Sequence, residues 1–149
     1  MKSNIKVEVK KLISEYNTRN PFELIDYLDI LLVKYPLPNS LRGYHSTVSN
    51  QAVICINSQL SYEDSLLAAA HELGHFILHP NMNVSLIHNH TYLSVDKYEL
   101  QADMFAAELL LQDNIFEEYE GYSMDFISKS ENISYKFIKY KQELSNIIS

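Results

Sequence analysis

Cysteine occurs once in this chain, arginine only at positions 19 and 42, and no stretch is apolar for long enough to cross a membrane. Each shortage removes a class of protein. A lone Cys55 cannot form an internal disulfide, fits a reducing compartment, and reads as core filler. The missing apolar run excludes a membrane span. Met1 to Tyr16 also lacks the uninterrupted apolar stretch and small-residue cleavage site of a signal peptide, so the expected location is the cytoplasm. With few arginines and a net charge of -7, the chain has no basic footprint for phosphate, which argues against direct nucleic-acid binding. No low-complexity linker divides its 149 residues, and 46% of them are hydrophobic. One domain spanning 1–149 is therefore expected.

What is present divides into three stretches: N-terminal helices and a small sheet over 1–60, two metal-bearing helices over 61–112, and a helical tail over 113–149. Ile5, Val9, Leu12 and Ile13 among lysines and glutamates predict an amphipathic helix over Met1 to Tyr16. Asn20-Pro21-Phe22-Glu23 offers an N-cap, a first-turn proline and a capping-box glutamate, which predicts a second helix to about Leu31. Leu32 to Tyr35, Arg42 to Thr47 and Ala52 to Ile56 read as strands, the last being the most buried. Ser61 is an N-cap with Asp64 three residues on, and Ser61 to His79 reads as one continuous helix. Pro80 to Val95 is polar and reads as irregular. Lys97 to Leu111 predicts the next helix, with Leu100, Met104, Ala107 and Leu111 apolar, Asp96 as N-cap and Glu99 at the capping-box position. Helices then start near Ser123 and Ser134, carrying Phe126, Ile127, Phe137, Ile138 and Leu144. The fold class is α+β: mainly helical, with about three strands.

The chemistry lies in His71-Glu72-Leu73-Gly74-His75. At about 100° per residue, His71 and His75 point nearly the same way on a helix, so both rings can reach one ion at roughly 2.0–2.1 Å. Glu72 lies one position round, close to the ion without ligating it, as suits a general base. On the second helix Glu99 and Asp103 are four apart and share a face. Standing alone, Glu99 reads as a capping residue and Asp103 as a solvated charge. Beside the upstream motif, His71, His75 and Glu99 make a catalytic His2Glu set, and Asp103 accepts the free ring N–H of one histidine. Gly74 inside a helix costs about 1 kcal/mol relative to alanine, so something should pack hard against it.

These residues resemble a known family. His71-Glu72-Leu73-Gly74-His75-Phe76-Ile77-Leu78-His79, followed by Glu99-x-x-Ala102-Asp103-x-Phe105-Ala106-Ala107-Glu108, looks like the ImmA/IrrE family of bacterial and phage metallopeptidases over Ser61 to Gln112. The pattern is gluzincin-like. Where this chain has Leu78, a metzincin carries glycine. The resemblance implies a zincin-like domain with one Zn2+ per chain on His71, His75 and Glu99, and Glu72 as catalytic residue. It also implies cleavage of a helix-turn-helix repressor of a prophage or other mobile element.

Several readings stay open at this level. The oxyanion donor, or a fourth ligand that would make the site latent, has five candidates: His79, His88, His90, Tyr92 and Tyr98. Arg42 to Thr47 is either an edge strand that pairs with an extended substrate or a plain hairpin strand. Asp125 to Lys141 has the look of a helix-turn-helix, but Lys129, Lys136, Lys139 and Lys141 facing Asp125 and Glu131 make it nearly balanced in a chain at -7, favouring a core cover or a repressor-docking surface. Three function classes follow: a zinc endopeptidase, a zinc-bearing module that binds a transcription factor or toxin-antitoxin partner without cutting it, and the charge-disfavoured nucleic-acid binder.

Overall fold

The computed structural model of the chain describes residues 1–80 and 92–147, with the side chains of 92–95 excepted. Among the described residues the element order is α1 (Lys2–Tyr16), α2 (Pro21–Tyr27), β1 (Leu31–Tyr35), β2 (Gly43–Val48), β3 (Gln51–Asn57), α3 (Tyr62–Leu78), α4 (Tyr92–Leu110), α5 (Ile115–Glu118), α6 (Met124–Glu131) and α7 (Tyr135–Ser145). This is the mainly helical α+β class with a three-stranded sheet. No helix among the described residues is long and apolar enough to cross a membrane.

Local signals account for most boundaries. Ile5, Val9 and Leu12 are the buried stripe of α1, which Asn17 ends in the left-handed region with its N–H on the Ile13 carbonyl. Asn20 accepts from the Phe22 N–H at 2.9 Å ahead of Pro21. The helix then stops at Tyr27 rather than near Leu31. Asp29 turns left-handed at φ 57°, and the Asp29 and Ile30 N–H groups bond back to Asp26 and Ile25. That Schellman pattern closes the helix and releases Leu31 into β1.

Strand β3 is central, with β1 parallel to it (Leu31 opposite Val53) and β2 antiparallel (His45 opposite Ile54). Ser49 and Asn50, both at positive φ, make the two-residue turn joining β2 to β3. Ile54, Cys55 and Ile56 are buried, in keeping with β3 as the most buried strand. Asn57, also buried, bonds through its side chain to main-chain groups of Leu37 and Leu41 and so folds the proline-bearing loop back onto the sheet.

Helices α3 and α4 form the centre and pack chiefly on each other. A Cβ built on Gly74 would come 3.1 Å from the Phe105 ring, which is the close neighbour anticipated from a glycine in mid-helix. Ala69, Ala70, Ala106 and Ala107 are fully buried, and such small side chains let the two backbones approach. Helix α4 begins at Tyr92, not Lys97, so residues 92–95 are helical, Asp96 is no N-cap and Glu99 is no capping-box residue. Leu100, expected on the apolar face, is exposed, while Met104, Ala107 and Leu111 are buried.

The tail covers α4. Ser123 caps α6 and Ser134 precedes α7. Ile127, Phe137, Ile138 and Leu144 are buried, but Phe126 is exposed. Lys141, one of the four lysines counted in the tail, is 1% exposed and forms ion pairs with Glu108 at 3.1 Å and Asp113 at 2.8 Å. Arg19 donates to the carbonyls of Glu108, Leu109 and Leu111, so two cations close the C-terminal end of α4, where the helix dipole favours positive charge. Lys141→Ala strands the buried Glu108 carboxylate and is expected to cost about 3–5 kcal/mol. Equilibrium urea unfolding measures this, and a loss under about 1 kcal/mol would show that Glu108 rehydrates without cost.

Candidate metal centre

Helix α3 presents His71 and His75 one turn apart toward α4, which presents Glu99. The His71 Nε2 to Glu99 Oε2 distance is 3.1 Å and His75 Nε2 to Glu99 Oε1 is 2.8 Å. The three ligand atoms lie within 4.8 Å of one another. Two imidazole nitrogens and a carboxylate converging from two rigid helices form a donor set that fits one divalent ion with a coordination position to spare.

The remaining ring nitrogens are tied from behind. His71 Nδ1 donates to Asp103 Oδ1 at 2.8 Å, and Lys136 on α7 reaches the other Asp103 oxygen at 3.3 Å. With Nδ1 engaged there, Nε2 is the nitrogen an ion would take, displacing the proton that it otherwise gives to Glu99. Behind His75 runs a longer relay. Gln101 Oε1, an oxygen that can only accept, takes the His79 Nε2–H at 2.6 Å. Burial, with His75 alongside, lowers the His79 pKa and keeps that ring neutral. Its Nδ1 therefore accepts from His75 Nδ1–H at 3.1 Å, which frees His75 Nε2 to ligate. Gln101→Leu breaks the relay at its fixed end and is expected to weaken metal binding about 10–100-fold. Competition with a chromophoric chelator reads this directly; unchanged affinity would mean that His75 needs no such support.

The electrostatics suit a cation. Burial alone would push His71 down, but the hydrogen bonds to Asp103 and Glu99 and the charge on Glu72 raise it to about 10. The bonds from His71 and His75 hold Glu99 far below the usual carboxylate range. Three carboxylates, those of Glu72, Glu99 and Asp103, crowd around two imidazoles, a surplus of negative charge that an ion would offset.

Glu72 is buried and points at no ligand. Its Oε2 accepts from His45 Nδ1 at 2.7 Å. His45 lies on β2, and its ring stacks on His75 with centroids 5.0 Å apart. His45, Gln101 and Lys136 are absent from the site residues that the sequence singles out. A signal for His45 existed in the two-residue period of β2, where half-buried Gly43 and His45 alternate with exposed Tyr44 and Ser46.

The structure places the five oxyanion or fourth-ligand candidates as follows. Both ring nitrogens of His79 are engaged on the far side of His75, by His75 itself and by Gln101, so neither is free to face the point between His71, His75 and Glu99. Tyr98 packs edge-on against His79 at 4.7 Å. His88 and His90, and the side chain of Tyr92, lie outside the described residues.

An open groove of about 760 Å³ runs from His71, Glu72 and Glu99 past Leu66 and Leu67 to Ile133 and Phe137, with Arg42, Gly43 and Glu131 among its other lining residues. Gly43 admits the close approach of β2 to its neighbour, since a Cβ there would come 2.7 Å from the Cys55 carbonyl.

Comparison with known proteins follows the same lines. The family model for the IrrE N-terminal-like domain, Peptidase_M78, matches residues 25–143. The chain is 38% identical over 117 residues to "Uncharacterized immunity region protein 2" of Bacillus phage phi105, covering 78% of this chain and 74% of that protein. It is 33% identical over 143 residues to "Metallopeptidase ImmA" of Bacillus subtilis (strain 168), covering 92% and 83%. Among solved structures, "Mycobacterium tuberculosis transcriptional regulator" superposes with a TM-score of 0.66 at 15% identity, over 93% of this chain. The likeness is one of fold, and this chain spans 46% of that structure's length.

Proposed function

The chain belongs to the Peptidase_M78 family of IrrE N-terminal-like domains, and from that premise we propose that it is a zinc-dependent endopeptidase which cuts a helix-turn-helix repressor in the cytoplasm. The observation that carries the reading is the convergence of His71, His75 and Glu99 on one point with the buried Glu72 carboxylate beside it. His71, His75 and Glu99 are the residues that would hold the ion. When bound, zinc supplies Lewis acidity, polarising the scissile carbonyl and making water a nucleophile near neutral pH.

The other work falls to the chain itself. Glu72 accepts the proton of the attacking water and passes it to the leaving amine. Asp103 and the His79–Gln101 pair keep the two imidazoles in the ligating tautomer. Strand β2 lies at the edge of the sheet. The Asn57 N–H donates to the Arg42 carbonyl, and alternation along an antiparallel pair then turns the main-chain groups of Gly43, His45 and Thr47 to the open side. An extended substrate would add there as a further strand and cross the metal centre.

The repressor is supported by the family resemblance and by the name of the phage relative, an immunity region protein. The test is co-expression with helix-turn-helix repressors, with intact mass spectrometry of each. Two fragments summing to one repressor are expected with the wild type and none with Glu72→Gln. Repressors that stay whole but remain bound would favour the non-cutting module.

A further inference from the structure

We infer that His45 is the positioning residue of the general base: from the edge strand it clamps Glu72 in the orientation that faces the reacting water. The inference rests on the reading of Glu72 as that base. Glu72 has two carboxylate oxygens, and a base that can rotate freely presents the wrong one much of the time. His45 Nδ1–H holds Oε2 at 2.7 Å, which leaves Oε1 to take the proton. The clamp is itself held. The His45 side chain is 19% exposed and its ring lies on His75, with an interplanar angle of 26°. Its strand is bonded to β3 on one side only.

The same residue also stands on the substrate side. His45 turns its own N–H and C=O to the open edge of β2 while its side chain reaches Glu72. A peptide pairing with that edge therefore bonds to the main chain of the residue that aims the base, and its scissile carbonyl is registered against Glu72 through one rigid strand position. No other described histidine is hydrogen-bonded to Glu72; His71 bonds to Asp103 and Glu99, His75 to Glu99 and His79, and His79 to Gln101.

Two measurements on the zinc-loaded full chain test the inference. The first needs no substrate. In protein labelled with nitrogen-15 histidine, His45 should show a protonated Nδ1 and a slowly exchanging ring N–H, and Glu72→Ala should abolish that slow exchange. A bare Nδ1, or a slow proton that survives Glu72→Ala, would overturn the clamp.

The second uses a library of internally quenched octapeptides. His45→Ala should lower kcat by about 10²-fold, the size of effect that misplacing a catalytic group produces, with KM and zinc content held. His45→Asn, whose amide nitrogen sits where Nδ1 was, should recover most of the loss. Full kcat in His45→Ala, or equal loss of zinc and stability in both variants, would overturn it. If the wild type hydrolyses nothing, that counts against the peptidase reading, and the nitrogen-15 spectrum still decides His45.

Discussion

Glu72→Gln is expected to leave the chain folded and metal-loaded while slowing peptide hydrolysis by about 10²–10⁴-fold, the usual worth of a general base. The substitution is nearly isosteric, and the amide oxygen can still accept from His45, so the packing around this buried position survives. What disappears is the ability to take up a proton. No metal donor is lost, because His71, His75 and Glu99 are the converging set and Glu72 is not among them. Zinc content by elemental analysis, the melting curve and the rate of repressor cleavage together make the measurement. Cleavage at the wild-type rate would remove Glu72 from the mechanism, and with it the reading of Glu72 as general base. A regulatory effect that persists in the variant without cleavage would instead identify a binding module.

The second large effect is expected at Glu99. Glu99→Ala should reduce zinc from near one per chain to a small fraction after dialysis. Apparent zinc affinities of about 10–16 kcal/mol spread over four ligands give on the order of 3 kcal/mol per ligand, roughly a 10²-fold loss. The structure adds a stability readout. Zinc at about a hundred times its dissociation constant stabilises the native chain by about 2.7 kcal/mol, which raises the melting temperature of a domain this size by roughly 5–10 °C. That rise should be seen in the wild type and in Glu72→Gln and be nearly absent in Glu99→Ala. An equal rise in Glu99→Ala would place the ion elsewhere.

How much of this was legible in the sequence varied with the range of the interaction. The helical register of His71, Glu72 and His75 is a local property, as is the four-residue offset between Glu99 and Asp103, and both faces came out where periodicity put them. The caps at Asn20, Ser61 and Ser123 were likewise readable, because a cap is made by residues two or three apart. Errors arose where a local signal had a competitor. Asp96 and Glu99 imitate a helix start, yet the helix already runs from Tyr92. Glu23 and Pro21 start α2 correctly, but its end depends on Asp29 adopting the left-handed region. Nothing local marks Lys141 out until Glu108 and Asp113 come to meet it across the fold.

By itself, then, the sequence determined most of the helices and the shared faces of His71 with His75 and of Glu99 with Asp103, since each is written in spacings of four residues or fewer. Only the tertiary structure decided that β2 lies at the sheet edge, that His45 crosses 27 positions to hold Glu72, and that Gln101 sets the tautomer of His75 through His79. It also decided that Lys136 supports Asp103 across 33 positions. The physical reason is the same in each case. Spacing along one element is dictated by backbone geometry, whereas contacts between elements depend on how side-chain volumes such as Phe105 against Gly74 set the approach of two helices, which no local pattern encodes.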